Sequence, residues 1–324
     1  MWVSEDTSGY LSFVCFYMLE RQEELRRYDS IEFKTGKAVE GFMAGLHKSP
    51  FHGFSVEFAE HRFYNSGEST KHIDWKLFAK TDKLFVKKYE AETNLRCMLV
   101  LDTSSSMYFP YDRKADFKNP TKFSFSVYAA ACLCHLFYKQ RDAFALSLVS
   151  ENLEYCSETG TSFAHKQHIF TLFEQILSEK TKNKTTGIDK ALHKLAEVLH
   201  KRSLVIIFTD LFSVATSADE LIESLQHLTY NKHEIILFYV CDKAKEVELD
   251  YKERPYRFID VESGEEVKLT PSEIRDKYCE EVKAKAEYIR NQCNNMKIDF
   301  IEADINKGFD QIMLPYLLKR SRLK

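Results

Sequence analysis

Two apolar runs that each stop at an acid constrain this chain most. Cys97-Met98-Leu99-Val100-Leu101 runs into Asp102-Thr103-Ser104-Ser105-Ser106, and Leu204-Val205-Ile206-Ile207-Phe208-Thr209 runs into Asp210. Runs without polar alternation suit strands buried on both faces, which belong to parallel sheets covered by helices. In an open α/β sheet the ligand crevice lies beyond the C-terminal ends of the strands. Both acids therefore fall on the edge where such a fold builds its sites.

The chemistry of these ends is that of a hard cation. Asp102, Ser104 and Ser106 stand at alternate positions of a sharp strand-to-helix loop, so their side chains can turn toward one point. Mg²⁺ takes oxygen ligands in octahedral geometry at about 2.0–2.1 Å and keeps several waters. Few charges and several hydroxyls leave such an ion under-neutralised, ready for a carboxylate from a partner protein. Asp-x-Ser-x-Ser alone is also an ordinary cap and turn. With Thr186 between the two strands and Asp210 after them, the order resembles the metal-ion-dependent adhesion site of von Willebrand factor A domains. Thr186-Gly187-Ile188-Asp189-Lys190-Ala191-Leu192 matches that family's threonine followed by apolar positions. The adjacent Thr185 can take the same place, and the choice stays open. The resemblance implies Mg²⁺ (or Mn²⁺), with Ser104 and Ser106 as direct ligands. It makes Thr186 direct or water-linked and sets Asp102 and Asp210 behind waters.

The rest of the second half alternates strand and helix. Strands are expected at about 97–102, 143–149, 204–209, 234–240 and 298–302. Helices are expected at about 122–139, 165–178, 188–200, 217–229, 272–294 and 308–319. This pattern predicts an α/β fold with a doubly wound, mostly parallel sheet of the Rossmann type. Tyr128–Tyr138 is apolar all round, as in a core helix. Tyr256–Val267 reads as a hairpin over Ser263-Gly264. Thr270-Pro271-Ser272-Glu273 reads as a capping box with Pro at the first helical position.

Composition excludes several classes. The 324 residues carry a net charge of −3, with no bulk drive toward nucleic acid or anionic membranes. Phe (25) and Tyr (17) are plentiful while Gly (10) and Pro (6) are scarce, which favours long regular elements over disorder. Eight cysteines without Cys-x-x-Cys spacing read as free thiols in a reducing cytoplasm. Gly9–Met18 is apolar but too short to span a bilayer and lacks a basic leader. Met18 opens a helical segment to Arg27 and is a candidate start.

From Ala38 to Glu92 the character changes, with strand-like alternation at Val56-Glu57-Phe58 and Leu84–Lys87. Gly53, Ser55, Glu57, Phe58, Glu60, Arg62, Tyr64 and Gly67, then Ile73-Asp74-Trp75, Ala79 and Thr81, resemble the motifs of the bacterial domain-of-unknown-function 58 family. Glu68 stands for that family's Asp, Lys71 or His72 near its first Arg, and Lys80 for its second. The end, Ile312–Arg320, resembles its closing Leu-x-x-Tyr-Leu-x-x-Arg helix. The expected organisation is a leader and helix (1–30), a smaller β-rich region (31–95), and a von Willebrand A-like domain (96–320) with a hairpin insertion near 246–269. Arg62, Tyr64, Asp74 and Trp75 are candidates for the contact between region and domain.

Familiar enzyme motifs are missing. Neither Gly-x-x-x-x-Gly-Lys nor Gly-x-Ser-x-Gly occurs. In a haloacid-dehalogenase reading Ser104 stands where the general acid must be. His47, His52, His61 and His72 lack close zinc-ligand spacing. The expectation is a cytoplasmic, non-catalytic, Mg²⁺-dependent protein-interaction module. The family resemblance implies a MoxR-type AAA+ ATPase as partner. The alternative is a metal-dependent hydrolase using Asp102 and Asp210.

Overall fold

A computed structural model describes residues 30–48, 61–64, 75–87, 95–113, 116–178, 187–200, 202–210, 218–259 and 266–322. In chain order the elements begin with α1 (Ile31–Lys48), β1 (His61–Phe63), α2 (Trp75–Thr81) and β2 (Phe85–Lys87). The α/β part runs β3 (Arg96–Asp102), α3 (Lys122–Lys139), β4 (Ala143–Val149), β5 (Leu153–Cys156), α4 (Phe163–Ser178), α5 (Ile188–Val198), β6 (Leu204–Thr209), α6 (Ala218–Tyr230) and β7 (Glu234–Cys241). It closes with β8 (Tyr256–Ile259), β9 (Glu266–Leu269), α7 (Pro271–Asn295), β10 (Asp299–Asp304) and α8 (Asp310–Arg322). A 3-10 turn spans Ser105–Tyr108 and a π-helical turn spans Lys243–Val247.

Six strands form one sheet in the order β10-β7-β6-β3-β4-β5. All neighbours are parallel except β4 and β5. The chain starts at β3, moves out through β4, then returns to the other side of β3 as β6. The point where the strand order reverses is therefore the β3–β6 boundary, and Asp102 and Asp210 leave the sheet on either side of it. This is the doubly wound order expected for a von Willebrand A-like domain.

Both faces of the sheet are covered, as the uninterrupted apolar runs require. Cys97, Leu99 and Leu101 of β3 join α1, α3, α4 and α8 in one core, with Ile206, Phe208, Ile236 and Phe238. Met98 and Val100 face the other way, with Val205, Ile207, Ile235 and Leu237, against α5, α6 and α7. Helix α3 is buried almost throughout, from Phe123 to Phe137, as its all-round apolar pattern predicts. Each large side chain taken out of water there contributes about 1.5–3 kcal/mol.

Three local differences from the sequence reading have physical causes. Strand β5 was not among the expected strands. It is short, half-exposed and carries Glu154 at its centre, so no apolar run marks it. Thr270 does occupy the N-cap of α7 with Pro271 behind it, but its side chain makes no cap bond. The first turn closes instead on backbone, Glu273 N–H to Thr270 O at 3.0 Å. A genuine capping box opens α3, where Thr121 N–H donates to Ser124 Oγ at 2.9 Å and Ser124 N–H to Thr121 Oγ1 at 3.2 Å.

The third difference is α1, which the sequence reading did not identify. Its glycines (36, 41 and 45) lower helix propensity. Packing overrides this, because Ile31, Val39 and Met43 enter the same core as α3. At Gly36 a Cβ would lie 3.4 Å from the His135 ring, so a small residue lets the two helices approach. Beyond α1, the described part of residues 31–95 holds α2 and the antiparallel pair β1–β2, with Phe63 opposite Phe85. Strand β2 coincides with the expected alternation at 84–87, whereas Val56–Phe58 and Met18–Arg27 lie outside the described residues. The expected hairpin is the antiparallel pair β8–β9.

Candidate functional site

Parallel pairing of β3 with β6 sets Leu101 opposite Phe208, so Asp102 and Asp210 emerge side by side. Both are fully buried, as is Ser104, whereas Ser106 is partly exposed. Asp102 Oδ1 accepts from the Ser104 N–H at 2.9 Å, and Oδ2 accepts from Thr209 Oγ1 at 2.8 Å. These bonds fix the carboxylate and leave a lone pair on each oxygen. Burial first, and the neighbouring Asp210 second, push the Asp102 carboxyl up to about 7 against those two donors. Burial and the neighbouring acid thus penalise a negative Asp102, a penalty that a cation would relieve.

The hydroxyls converge. Ser104 Oγ and Ser106 Oγ are 3.1 Å apart. The two hydroxyls share a hydrogen bond, at a separation close to the edge of about 2.9 Å between adjacent oxygens on an octahedral ion with ligands at 2.0–2.1 Å. Two hydroxyls at ligand spacing beside two buried carboxylates fit Mg²⁺ or Mn²⁺. Thr185 and Thr186 lie outside the described residues. Their neighbour Gly187 does reach this end of the sheet, donating its N–H to Ser150 O at 3.0 Å. A Cβ on Gly187 would stand 2.8 Å from Glu151 O, so this approach requires glycine. Thr103 ties the same corner together, donating Oγ1–H to Val149 O at 3.0 Å and lying 3.3 Å from Glu154 Oε2.

The sequence reading missed Lys122. Its Nζ donates to Asp210 Oδ2 at 2.8 Å and to Glu246 Oε1 at 2.5 Å. The lysine side chain is 1% exposed and Asp210 is 0% exposed. Burial disfavours the ammonium, but Asp210 and Glu246 outweigh it and hold Lys122 protonated, above the usual lysine range. Glu246 is fixed in turn by the Asp242 N–H at 2.8 Å, and Asp242 by Asn306 Nδ2 at 3.0 Å and Arg113 Nη2 at 3.4 Å. One signal was legible. Lys122 sits in the first turn of an otherwise apolar helix, where the helix dipole disfavours a cation unless an acid faces it. Nothing in the sequence marked Glu246, which arrives from a π-helical turn far along the chain. Glu246 also lines an apolar cavity of about 350 Å³ with Phe109, Tyr251, Phe258 and Tyr278. Glu246 therefore touches both that cavity and the ammonium that holds Asp210.

Among the other candidates, Trp75 is 59% exposed and its ring meets Phe78 of the same helix. Tyr64 is half-buried and its N–H donates to Leu84 O at 2.9 Å. Asp74 and the Arg62 side chain lie outside the described residues, as do His52 and His72. The closing-helix motif has a clear role. Arg320 grips Asp142 with Nε to Oδ2 at 2.8 Å and Nη2 to Oδ1 at 3.1 Å, and Tyr316 OH donates to Gln140 Oε1 at 2.6 Å.

Among solved structures, the chain is similar to the conserved hypothetical protein BatB from Bacteroides thetaiotaomicron, at 12% identity, 71% of this chain, 100% of that chain and a TM-score of 0.44. It is similar to an aerotolerance-related membrane protein from Bacteroides fragilis NCTC 9343 carrying multiple mutations to serines (14%, 69% and 99%, TM-score 0.39). A point mutant of the PilB minor pilin from Streptococcus sanguinis also matches (7%, 74% and 65%, TM-score 0.42). No curated protein matches. The family model described as "Protein of unknown function DUF58" matches residues 60–288, and the chain belongs to that family.

Proposed function

We propose that this protein is a non-catalytic, Mg²⁺-dependent interaction module that serves a MoxR-type AAA+ ATPase as adaptor in the cytoplasm. One observation carries the metal half of the reading: two serine hydroxyls at octahedral-edge spacing beside a pair of buried carboxylates. Ser104 and Ser106 would hold the ion, with Asp102 and Asp210 behind waters and Thr186 from the neighbouring loop. When bound, the cation supplies an acidic position that a partner carboxylate can fill. Asp102 is held by Ser104 and Thr209 so that its charge faces the site without moving. Lys122 already neutralises part of the Asp210 charge, which leaves the ion's own charge less compensated and favours an incoming acid. Ser106, the partly exposed member, lies on the side from which a partner can enter. The AAA+ partner rests on the family resemblance. The cytoplasmic assignment is supported by the cysteines, all free among the described residues. Among the described residues no helix is long and apolar enough to cross a membrane.

Calorimetry with Mg²⁺ and Mn²⁺ tests the site. Wild type should bind one ion, and Asp102→Ala should bind none; equal binding in both would refute the assignment. A pull-down of the AAA+ partner should be lost in chelator and in Ser104→Ala/Ser106→Ala. Retention in chelator would refute the metal-bridged contact. Mg²⁺-dependent phosphoester turnover that disappears in Asp102→Asn would move the reading to the hydrolase alternative.

A further inference from the structure

Two acids that flank one cation site cannot both stay charged in a buried pocket without compensation. A buried charge persists when it is paired and hydrogen-bonded, and leaving one unpaired is strongly unfavourable. Here the compensation is built into the chain. Lys122 Nζ lies 2.8 Å from Asp210 and 2.5 Å from Glu246, with the lysine side chain 1% exposed. Its place in the first turn of α3 is a poor one for a cation, since the helix end is itself positive. The carboxylates, not the helix, account for a lysine at this position. A further Lys–ring contact, 5.8 Å to the centroid of Phe109, brings the same ammonium near the loop that carries Ser104 and Ser106.

We infer that Lys122 is a resident counter-cation of the Asp102–Asp210 site, letting the domain fold without a divalent ion and lowering the affinity with which one binds. This rests on the divalent-cation reading above. Asp210 is shared between two positive charges when the site is filled. Lys122 keeps Glu246 as its second partner, so it need not leave its place for Asp210 to face the site. Glu246 thereby sets how firmly Lys122 holds Asp210. Without Glu246, the ammonium loses its second carboxylate and competes harder for Asp210. Without Lys122, Asp210 loses its buried ammonium and leans more on the ion.

The two directions give opposite results. Lys122→Met combined with Glu246→Met removes the ammonium without stranding its second acid. This variant should bind Mg²⁺ and Mn²⁺ at least about tenfold tighter than wild type by calorimetry, which corresponds to about 1.4 kcal/mol. Its melting temperature should fall in chelator and recover in Mg²⁺, while wild type melts at nearly the same temperature in both. Glu246→Gln, which keeps the lysine, should bind Mg²⁺ more weakly than wild type. If wild type binds but the double variant binds no tighter, or Glu246→Gln binds as tightly as wild type, the role of Lys122 is overturned and the metal reading stands. If the double variant does not fold, the Glu246→Gln result decides the matter alone. Absence of binding in wild type and variants overturns both.

Discussion

Asp142 shows how one buried side chain can hold distant parts of the chain together. It is fully buried at the start of β4, where it accepts from the Leu95 N–H at 3.2 Å and from both arms of Arg320. Tyr316 OH approaches the same carboxylate at 3.3 Å. Planar guanidinium matches carboxylate in two parallel bonds, which lysine cannot reproduce. Asp142→Ala leaves Arg320 and the Leu95 N–H unpaired and should cost about 3–5 kcal/mol, measured by urea unfolding. Arg320→Lys should cost less, since the charge remains and one contact is lost. Equal stability of Asp142→Ala and wild type would show that the clamp contributes nothing.

At the scale of elements, the α1–α3 seam carries a pH dependence. His135 of α3 donates Nε2–H to Glu32 O of α1 at 3.0 Å, because a carbonyl oxygen can only accept. Burial first, and the nearby Lys166 second, lower its pKa from 6.5 to about 4. The unfolded chain takes up a proton below 6.5 that the folded protein refuses until about 4. Stability therefore rises with pH across that window and is lost as pH falls through it, by up to about 3 kcal/mol. His135→Gln keeps a donor toward Glu32 O and removes the titration. Its stability should change less steeply between pH 4 and 6.5, by about one proton, in denaturant melts at stepped pH. An unchanged slope would assign the acid sensitivity to other groups.

For the molecule as a whole, the core does not respect a boundary at residue 95. Ile31, Val39 and Met43 of α1 are buried with α3, and Lys166 of α4 reaches Glu32 at 2.6 Å. A chain cut to residues 95–324 would expose that face of α3 and strand Lys166. It should unfold at lower denaturant and bind a hydrophobic dye, whereas the full chain should lose α1 and the sheet in one transition. Independent, unchanged unfolding of 95–324 would mark α1 as an appendage.

The sequence by itself determined five of the six strands of the main sheet and the Asp102 corner of the candidate site. β3, β4 and β6 begin and end within a residue of where their apolar runs do, because a strand buried on both faces admits only apolar side chains. The Asp102-x-Ser-x-Ser loop was legible because its acid and hydroxyls are close together in the chain. Tertiary structure decided what depends on meeting: α1 became a helix because its apolar face found α3 despite three glycines, and β5 became a strand because β4 offered it an edge. It also decided the charge of the site. Lys122 and Glu246 are separated by more than a hundred residues, and only the folded chain brings an ammonium within 2.8 Å of Asp210. Local pattern records which surface a residue hides, whereas ion pairing in a buried pocket is a property of places far apart in sequence that come together only on folding.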